Sequence, residues 1–251
     1  MPLRFFLPPL ERLVVLSLKK ALLEVEDPKL KAEVASLVAQ EAIHGLAFHQ
    51  YNKQFLQHFP LPQKNNMRLF RLVAGIFNKF SDTFHYALSA AGEHFTAIAA
   101  DLFLRDAKWF AGVSPEHSSI WRWHCIEEIE HKCVAFDVFQ SRKGSYFIRV
   151  SGMFVMTCVF LSLYLKPIWG MMKQDNKHKD FQFYKRAFIY YWGNEGLFRT
   201  LLKPYFAYFK PNFHPSHHQN LHLIEQWKTF FKTASKEEIL TGLQSIVPPL
   251  Y

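Results

Sequence analysis

The stretch WRWHCIEEIEHKCVAFDVF, residues 121 to 139, decides the expected fold and chemistry of this chain. It places two histidines and three glutamates within eight residues of an otherwise apolar segment. His124, Glu128 and His131 are spaced four and three residues apart, so on a helix they lie on one face. Isolated buried carboxylates cost several kcal/mol unless they are paired or bind metal. Read alone, the stretch offers five candidate ligands, His124, Glu127, Glu128, Glu130 and His131, without a way to choose among them.

A second Glu-x-x-His pair, Glu41 with His44, extends this pattern to the first part of the chain. The capping signals and the three- and four-residue spacing of apolar side chains predict helices over 8–25 and 28–57. If these two helices form an antiparallel hairpin, Glu11 and Glu41 each lie about 15 residues from the turn, ~22 Å along their helices. The two carboxylates then face each other at one level.

The same test applies to a second predicted hairpin, formed by helices over 81–107 and 115–140. Glu93 and Glu128 each lie about 17 residues from its centre, or ~26 Å along their helices. A glutamate followed some 30 residues later by Glu-x-x-His therefore occurs twice. Four-helix bundles use this pattern to hold two metal ions between inward-facing carboxylates and histidines.

The chain as a whole is predicted to be all-α, because no alternation of β type matches the helical pattern in length and there are only ten glycines. Asp27, Ser81 and Ser114 precede predicted helix starts, and Ser235 with Glu238 forms a capping box. The clearest loops are 60–66 and 173–180. Further helices are expected over 145–165, 182–207 and 218–232, with a short one after Ser235.

Length and charge suggest one all-helical domain, 1–251, made of a di-metal bundle over 1–140 and a basic, apolar helical extension over 141–251. Residues 141–210 contain 12 Lys and Arg against three Asp and Glu, whereas the rest of the chain is balanced. The apolar run 146–165 is interpreted first as a buried core helix. The alternative is contact with a membrane surface, since basic, aromatic-rich helices suit anionic lipids.

Composition also limits the partners and the compartment. Three cysteines without a CxxC pair favour a reducing compartment, so we expect a cytoplasmic protein, with association to the inner face of the membrane as a further option. Nucleic acid is not expected, because no binding module is recognisable. A homodimer is left open.

The motifs resemble those of a known family. LERL (10–13), QEAIHGLAFHQYN (40–52), EHFTA (93–97) and WHCIEEIEHKCVAFDVF (123–139) are similar to segments of the ferritin-like di-metal carboxylate proteins, and more closely of a bacterial family labelled "predicted metal-dependent hydrolase". The resemblance implies a ferritin-like four-helix bundle with additional C-terminal helices.

His124 makes the ligand pattern similar to that of the di-iron arylamine oxygenases, which use three histidines and four carboxylates. Carried onto this chain, the resemblance implies two metal ions held by seven residues: Glu11, Glu41, His44, Glu93, His124, Glu128 and His131. Ligands of nitrogen and oxygen favour iron, with manganese and zinc as alternatives. Glu127 and Glu130 flank the ligand face and are interpreted as supporting or solvent-facing residues, although Glu127 could replace Glu128.

Three functions are compatible with such a site. The first is a di-iron carboxylate oxidase or oxygenase, which takes electrons from a donor and activates O2 to oxidise a small or lipid-like substrate. The second is a hydrolase that acts through a metal-bound hydroxide, with zinc, manganese or iron. The third is a metal-binding protein without enzymatic activity. The first is the leading expectation from the sequence.

Overall fold

The computed structural model describes residues 7–58, 75 and 79–233, and within them the chain is helical without a β-strand. The prediction of an all-α fold is confirmed. Loop 60–66 and the segment after Ser235 lie outside the described residues. The longer helices are α1 (Leu7–Glu24), α2 (Pro28–His58), α3 (Asp82–Arg105), α4 (Pro115–Ser141), α5 (Tyr146–Gln174), α6 (Phe181–Trp192), α7 (Leu197–Ala207) and α8 (Leu221–Thr233).

The first four helices pack as two hairpins. α1 lies against α2 and α3 against α4, while α1 also contacts α3 and α2 contacts α4. Apolar side chains of all four fill the space between them, among them Leu18, Val34, Ala91 and Phe136. α5 packs on α3, so its residues Met153, Met156 and Tyr164 share this core.

Local signals in the sequence set where the bundle helices begin. The Asp27 side chain accepts a hydrogen bond from the backbone N–H of Lys29 (2.8 Å), just before α2 starts at Pro28. Ser81 caps α3 by accepting from the N–H of Phe84. α4 begins at Pro115 as expected, but the Ser114 hydroxyl bonds His117 Nδ1 (2.8 Å) and makes no capping bond to the backbone.

α5 is longer than expected from the sequence. The prediction over 145–165 stopped short of Pro167, whereas the helix continues through that proline to Gln174. Proline removes one backbone hydrogen bond but keeps a helical φ, so packing on both sides can hold the helix together. Pro167 and Met172 are both buried, which supplies that packing.

The predicted helix over 182–207 is two helices. α6 ends at Trp192 and α7 starts at Leu197, with a short turn between them. At Gly193 the chain folds so closely on itself that a Cβ atom would lie 2.4 Å from the carbonyl oxygen of Ile189. Only glycine fits there, and the turn redirects the chain.

The interpretation of 146–165 as a buried core helix holds only for the face of α5 that packs on α3. α5 is the one helix in the described residues that is long and apolar enough to cross a membrane, although length and composition alone do not establish that it does. Only 28% of its most apolar 18-residue window is buried. Its inner face packs on α3, and its outer face is exposed.

The contact between α3 and α5 depends on Gly152. A Cβ atom at this position would lie 3.0 Å from Ala87 Cβ and 3.1 Å from Ala87 O, whereas a Cβ at Gly170 on the same helix would meet nothing within 4 Å. We expect Gly152→Leu to lower the free energy of unfolding by about 1–3 kcal/mol relative to Gly170→Leu, because only the first side chain must push the helices apart. Urea denaturation of the two variants measures this difference. Equal stabilities would contradict the close approach.

Candidate metal centre

The structure brings together all seven residues that the sequence singles out. Each of the first four helices contributes at least one of them, and α4 contributes three. All are buried, with exposed fractions between 0% and 4%. The seven are Glu11 of α1, Glu41 and His44 of α2, Glu93 of α3, and His124, Glu128 and His131 of α4. The spacing along the two hairpins accounts for the approach of Glu11 to Glu41 and of Glu93 to Glu128.

Potential ligand atoms fall into two overlapping groups of four. In each group the atoms lie within 4.8 Å of one another, as the ligands of a single ion must. The two groups share His44 and Glu128, so these side chains lie between the two places where a metal ion could bind. One group adds Glu11 and His124, and the other adds Glu41 and His131.

The contacts inside the cluster are between carboxylates and imidazoles. Glu41 Oε1 lies 2.8 Å from His131 Nδ1 and 3.5 Å from His44 Nδ1. Glu128 Oε1 lies 3.4 Å from His124 Nε2 and 3.7 Å from His44 Nδ1. These distances place Glu41 between two histidines and Glu128 between another two.

Glu93 and Glu11 lie at the margins of the cluster. Glu93 Oε2 is 3.6 Å from His131 Nδ1, which brings it to the side of the second group. Glu11 belongs to the first group and lies next to Gly45, where a Cβ atom would be 3.5 Å from Glu11 Oε2. Glu93 is therefore a further carboxylate within reach of the second group, whereas Glu11 is already a member of the first.

Burial and mutual repulsion make three of the four carboxylates hard to ionise without a bound cation. Burial, together with the charge of Glu41, holds the pKa of Glu11 well above its ordinary value. Burial and the neighbouring glutamates raise the pKa of Glu93 as well. The pKa of Glu128 rises to about 7, again chiefly through burial and the charge of Glu41.

Glu41 and His44 form the charged pair of the metal-free cluster. Burial acts to raise the pKa of Glu41, but the adjacent imidazoles of His131 and His44 outweigh it and lower the value to about 2. Burial acts to lower the pKa of His44, but the adjacent carboxylates of Glu127 and Glu41 raise it to about 10. His44 therefore carries a proton in this state, and a cation that binds must displace it.

Several atoms of the cluster have no partner within the described part of the chain. Both carboxylate oxygens of Glu11, Oε2 of Glu93 and Nδ1 of His44 are buried without a hydrogen bond. Buried polar atoms almost always have a hydrogen-bond partner, so each buried atom without a partner needs an explanation. Two divalent cations would satisfy these atoms and balance four carboxylates, so the donor set fits a two-metal centre.

A carboxylate and an amide outside the cluster orient two of the histidines. Nε2–H of His44 donates to Glu127 Oε2 (2.7 Å), and Nε2–H of His131 donates to Gln40 Oε1 (3.3 Å). Gln40 also hydrogen-bonds Glu127, so the two histidines are linked behind the cluster. Bonds of this kind fix the tautomer that turns Nδ1 of both rings to the ligand side.

A cavity of about 480 Å³ opens from the carboxylate side of the cluster. Its described lining includes all four glutamates and none of the three histidines. Apolar side chains form much of its wall, including Leu10, Val14, Leu88, Met156 and Phe160. Lys20 and Asp82 also line it and pair at 2.6 Å, with partly exposed side chains. A substrate would thus approach the carboxylates from one side.

Two residues near the cluster went unrecognised in the sequence or were left undecided. Gln40 was missed, although it precedes Glu41 and stands one turn before His44, which is the signal that could have found it. Glu127 contacts His44 Nε2, whereas Glu128 belongs to both groups of potential ligand atoms. Glu130 lies away from the cluster and pairs with Lys228.

A buried cluster of carboxylates and imidazoles between paired helices defines the class as a helical metal-binding protein. The sequence model of a family described as "predicted metal-dependent hydrolase" matches residues 2–219. The chain belongs to this family. No curated protein and no solved structure matches the chain.

The bond between His44 and Glu127 generates a first prediction for the site. We expect Glu127→Ala to weaken Zn(II) or Mn(II) binding roughly 10- to 100-fold, because His44 loses the acceptor that fixes its tautomer. Glu127→Gln keeps an acceptor and is expected to lose less. Competition with a chromophoric chelator measures the affinities. Glu130→Ala is the control on the same helix, and an equal loss in that variant would contradict the role of Glu127.

The raised pKa of Glu93 generates a second prediction. The metal-free folded state keeps this carboxyl protonated above pH 4.5, where the unfolded state ionises, so stability falls as pH rises from 4.5 towards the raised pKa. At neutral pH, Glu93→Gln should therefore stabilise the metal-free protein by about 1–2 kcal/mol and also reduce the stabilisation that added metal gives. Thermal denaturation with and without metal tests both effects. A metal-free variant less stable than the wild type would contradict this electrostatic account.

Proposed function

We propose that the protein is an enzyme with two metal ions held by Glu11, Glu41, His44, Glu93, His124, Glu128 and His131. The observation that carries the proposal is the set of buried, unpartnered oxygen and nitrogen atoms at one end of a largely apolar cavity. Glu128 and His44 belong to both groups of donor atoms, which supports Glu128 as a bridge between the ions.

The remaining donors divide between two positions. His124 and Glu11 would hold one ion, while Glu41, His131 and Glu93 would hold the other. Gln40 and Glu127 orient the rings of His131 and His44 through hydrogen bonds to Nε2, on the side away from the proposed metal ions. Iron, manganese and zinc are all compatible with this set of ligands.

We infer that the reaction is hydrolysis, which agrees with the description of the family. When bound, the two ions supply an activated water and polarise the bond to be cleaved. The chain contributes the positions of these ions, and the apolar wall of the cavity excludes other water and binds the apolar part of the substrate. Beyond the proposed ligands the lining is largely apolar, so an ester or amide with an apolar acyl group is favoured as the substrate.

A second candidate is the oxidation of an organic substrate by O2 at two irons, with an external electron donor. Four carboxylates with three histidines beside a largely apolar cavity favour it, because such ligands suit the higher oxidation states of iron. This candidate led the sequence-based expectations. The description of the family favours hydrolysis over this oxidation.

One preparation distinguishes the two candidates. We expect about two metal ions per chain by mass spectrometry of the purified protein. The apoprotein is then loaded with Zn(II) or Mn(II) and assayed on chromogenic esters and amides with apolar acyl groups. A parallel sample is loaded with Fe(II) without oxygen, and O2 uptake is recorded after air is admitted. Hydrolysis without O2 uptake supports the first candidate, and O2 uptake without hydrolysis supports the second.

The assignment of the ligands is tested with a matched pair of variants on α4. Glu128→Ala should reduce the metal content to less than half and abolish the activity, since both positions lose a donor. Glu130→Ala should keep both. Full metal content in Glu128→Ala would overturn the site, whichever reaction the enzyme catalyses.

A further inference from the structure

The outer face of α5 carries a continuous stripe of apolar side chains. Phe147, Phe154, Leu161, Leu165 and Trp169 are spaced by seven, seven, four and four residues, so they lie on one side of the helix. All five are exposed, Phe147 by 78% and Phe154 by 67%. The opposite face of α5 packs on α3.

α6 and α7 add further exposed apolar groups. No residue of α6 is buried, although nine of its twelve positions are aromatic or aliphatic. Phe181, Tyr184, Phe188 and Trp192 recur along α6 every three or four residues, and Leu202 and Phe206 are exposed on α7. We call the eleven exposed side chains of α5, α6 and α7 named in these two paragraphs the aromatic surface. Exposed apolar groups in such number mark a site of contact.

Basic residues accompany the aromatic surface along the chain. The segment 141–210, which contains it, holds the whole positive surplus of the protein, 12 Lys and Arg against three Asp and Glu. Several of these basic residues are exposed on the same three helices: Lys166, Lys173, Lys185, Arg186, Arg199 and Lys203. The partner of this surface must therefore accept both apolar side chains and positive charge.

We propose that the aromatic surface docks the protein on an anionic lipid bilayer. Aromatic and aliphatic side chains enter the boundary between headgroups and acyl chains, and the lysines and arginines contact the headgroups. A second copy of the chain fits less well, because a two-fold interface sets the same positive charges against each other. This agrees with the expected association to the inner face of the membrane, whose lipids are anionic.

The contacts of α5 favour docking over crossing. Its inner face packs on α3: a Cβ on Gly152 would touch Ala87, and the Phe160 ring stacks on Phe95 with centroids 4.9 Å apart. α3 carries Glu93 of the metal centre, and to cross a bilayer α5 would have to leave this contact or take α3 with it. The protein is thus expected to lie on the membrane.

Vesicle binding of the full-length protein tests the proposal. Cosedimentation is measured with phosphatidylcholine vesicles that do or do not contain phosphatidylglycerol. We expect binding to the anionic vesicles that weakens with added salt and at least about tenfold weaker binding to the neutral ones. Phe154→Ser with Phe188→Ser should reduce the partition coefficient at least about tenfold, because two apolar groups no longer enter the lipid. Lys185→Glu with Arg186→Glu should reduce it about tenfold or more.

Matched variants exclude general effects of hydrophobicity and charge. Leu23 and Leu46 are exposed by 85% and 65% but lie on α1 and α2, so Leu23→Ser with Leu46→Ser should bind like the wild type. Lys19→Glu with Lys31→Glu is the control for charge. Circular dichroism and metal content confirm that each variant folds.

Two results would overturn the proposal. One is a wild type that does not bind anionic vesicles at low salt. The other is a dimer, seen by light scattering, that Phe154→Ser with Phe188→Ser converts to monomers, since a second copy would then cover the aromatic surface. Neither result bears on the metal centre.

Discussion

Four carboxylates buried between apolar helices are the constraint on which the rest of this structure depends. Glu11, Glu41, Glu93 and Glu128 lie within a few ångströms of three imidazoles, and the ion-pair partners of Glu41, Glu93 and Glu128 within the described residues are histidines. One protonated histidine cannot balance four carboxylates, so the metal-free cluster keeps protons that burial and repulsion force on it. Two divalent cations remove this conflict.

The same constraint shapes the surroundings of the cluster. On one side, Gln40 and Glu127 take the outer nitrogens of His131 and His44, which leaves Nδ1 of both rings turned inwards. On the other side, the carboxylates face an apolar cavity to which α5 contributes part of the wall. Ligands are thus fixed from behind and accessible from the front, as an enzyme that binds its substrate beside the metal requires.

Much of the site follows from the sequence because helical geometry is regular. A rise of ~1.5 Å per residue and two hairpins of similar length suffice to bring Glu11 to Glu41 and Glu93 to Glu128. The link through Gln40 depends on side-chain rotamers, which spacing does not encode. The break at Gly193 was missed because a single glycine is tolerated in many helices. The exposure of α5 was left open, since an apolar run has the same pattern whether it faces a protein core or a lipid surface.

The most direct test of the central claim is an anomalous X-ray difference map from crystals of the protein loaded with Mn(II) or Fe(II). The account predicts two peaks about 3.5–4 Å apart between Glu41 and Glu128, the separation typical of two-metal centres. His44, His124 and His131 should contact these peaks from the side opposite the cavity. A map without a peak among the seven residues, or with its only peaks at histidines elsewhere such as His214 or His218, would contradict it.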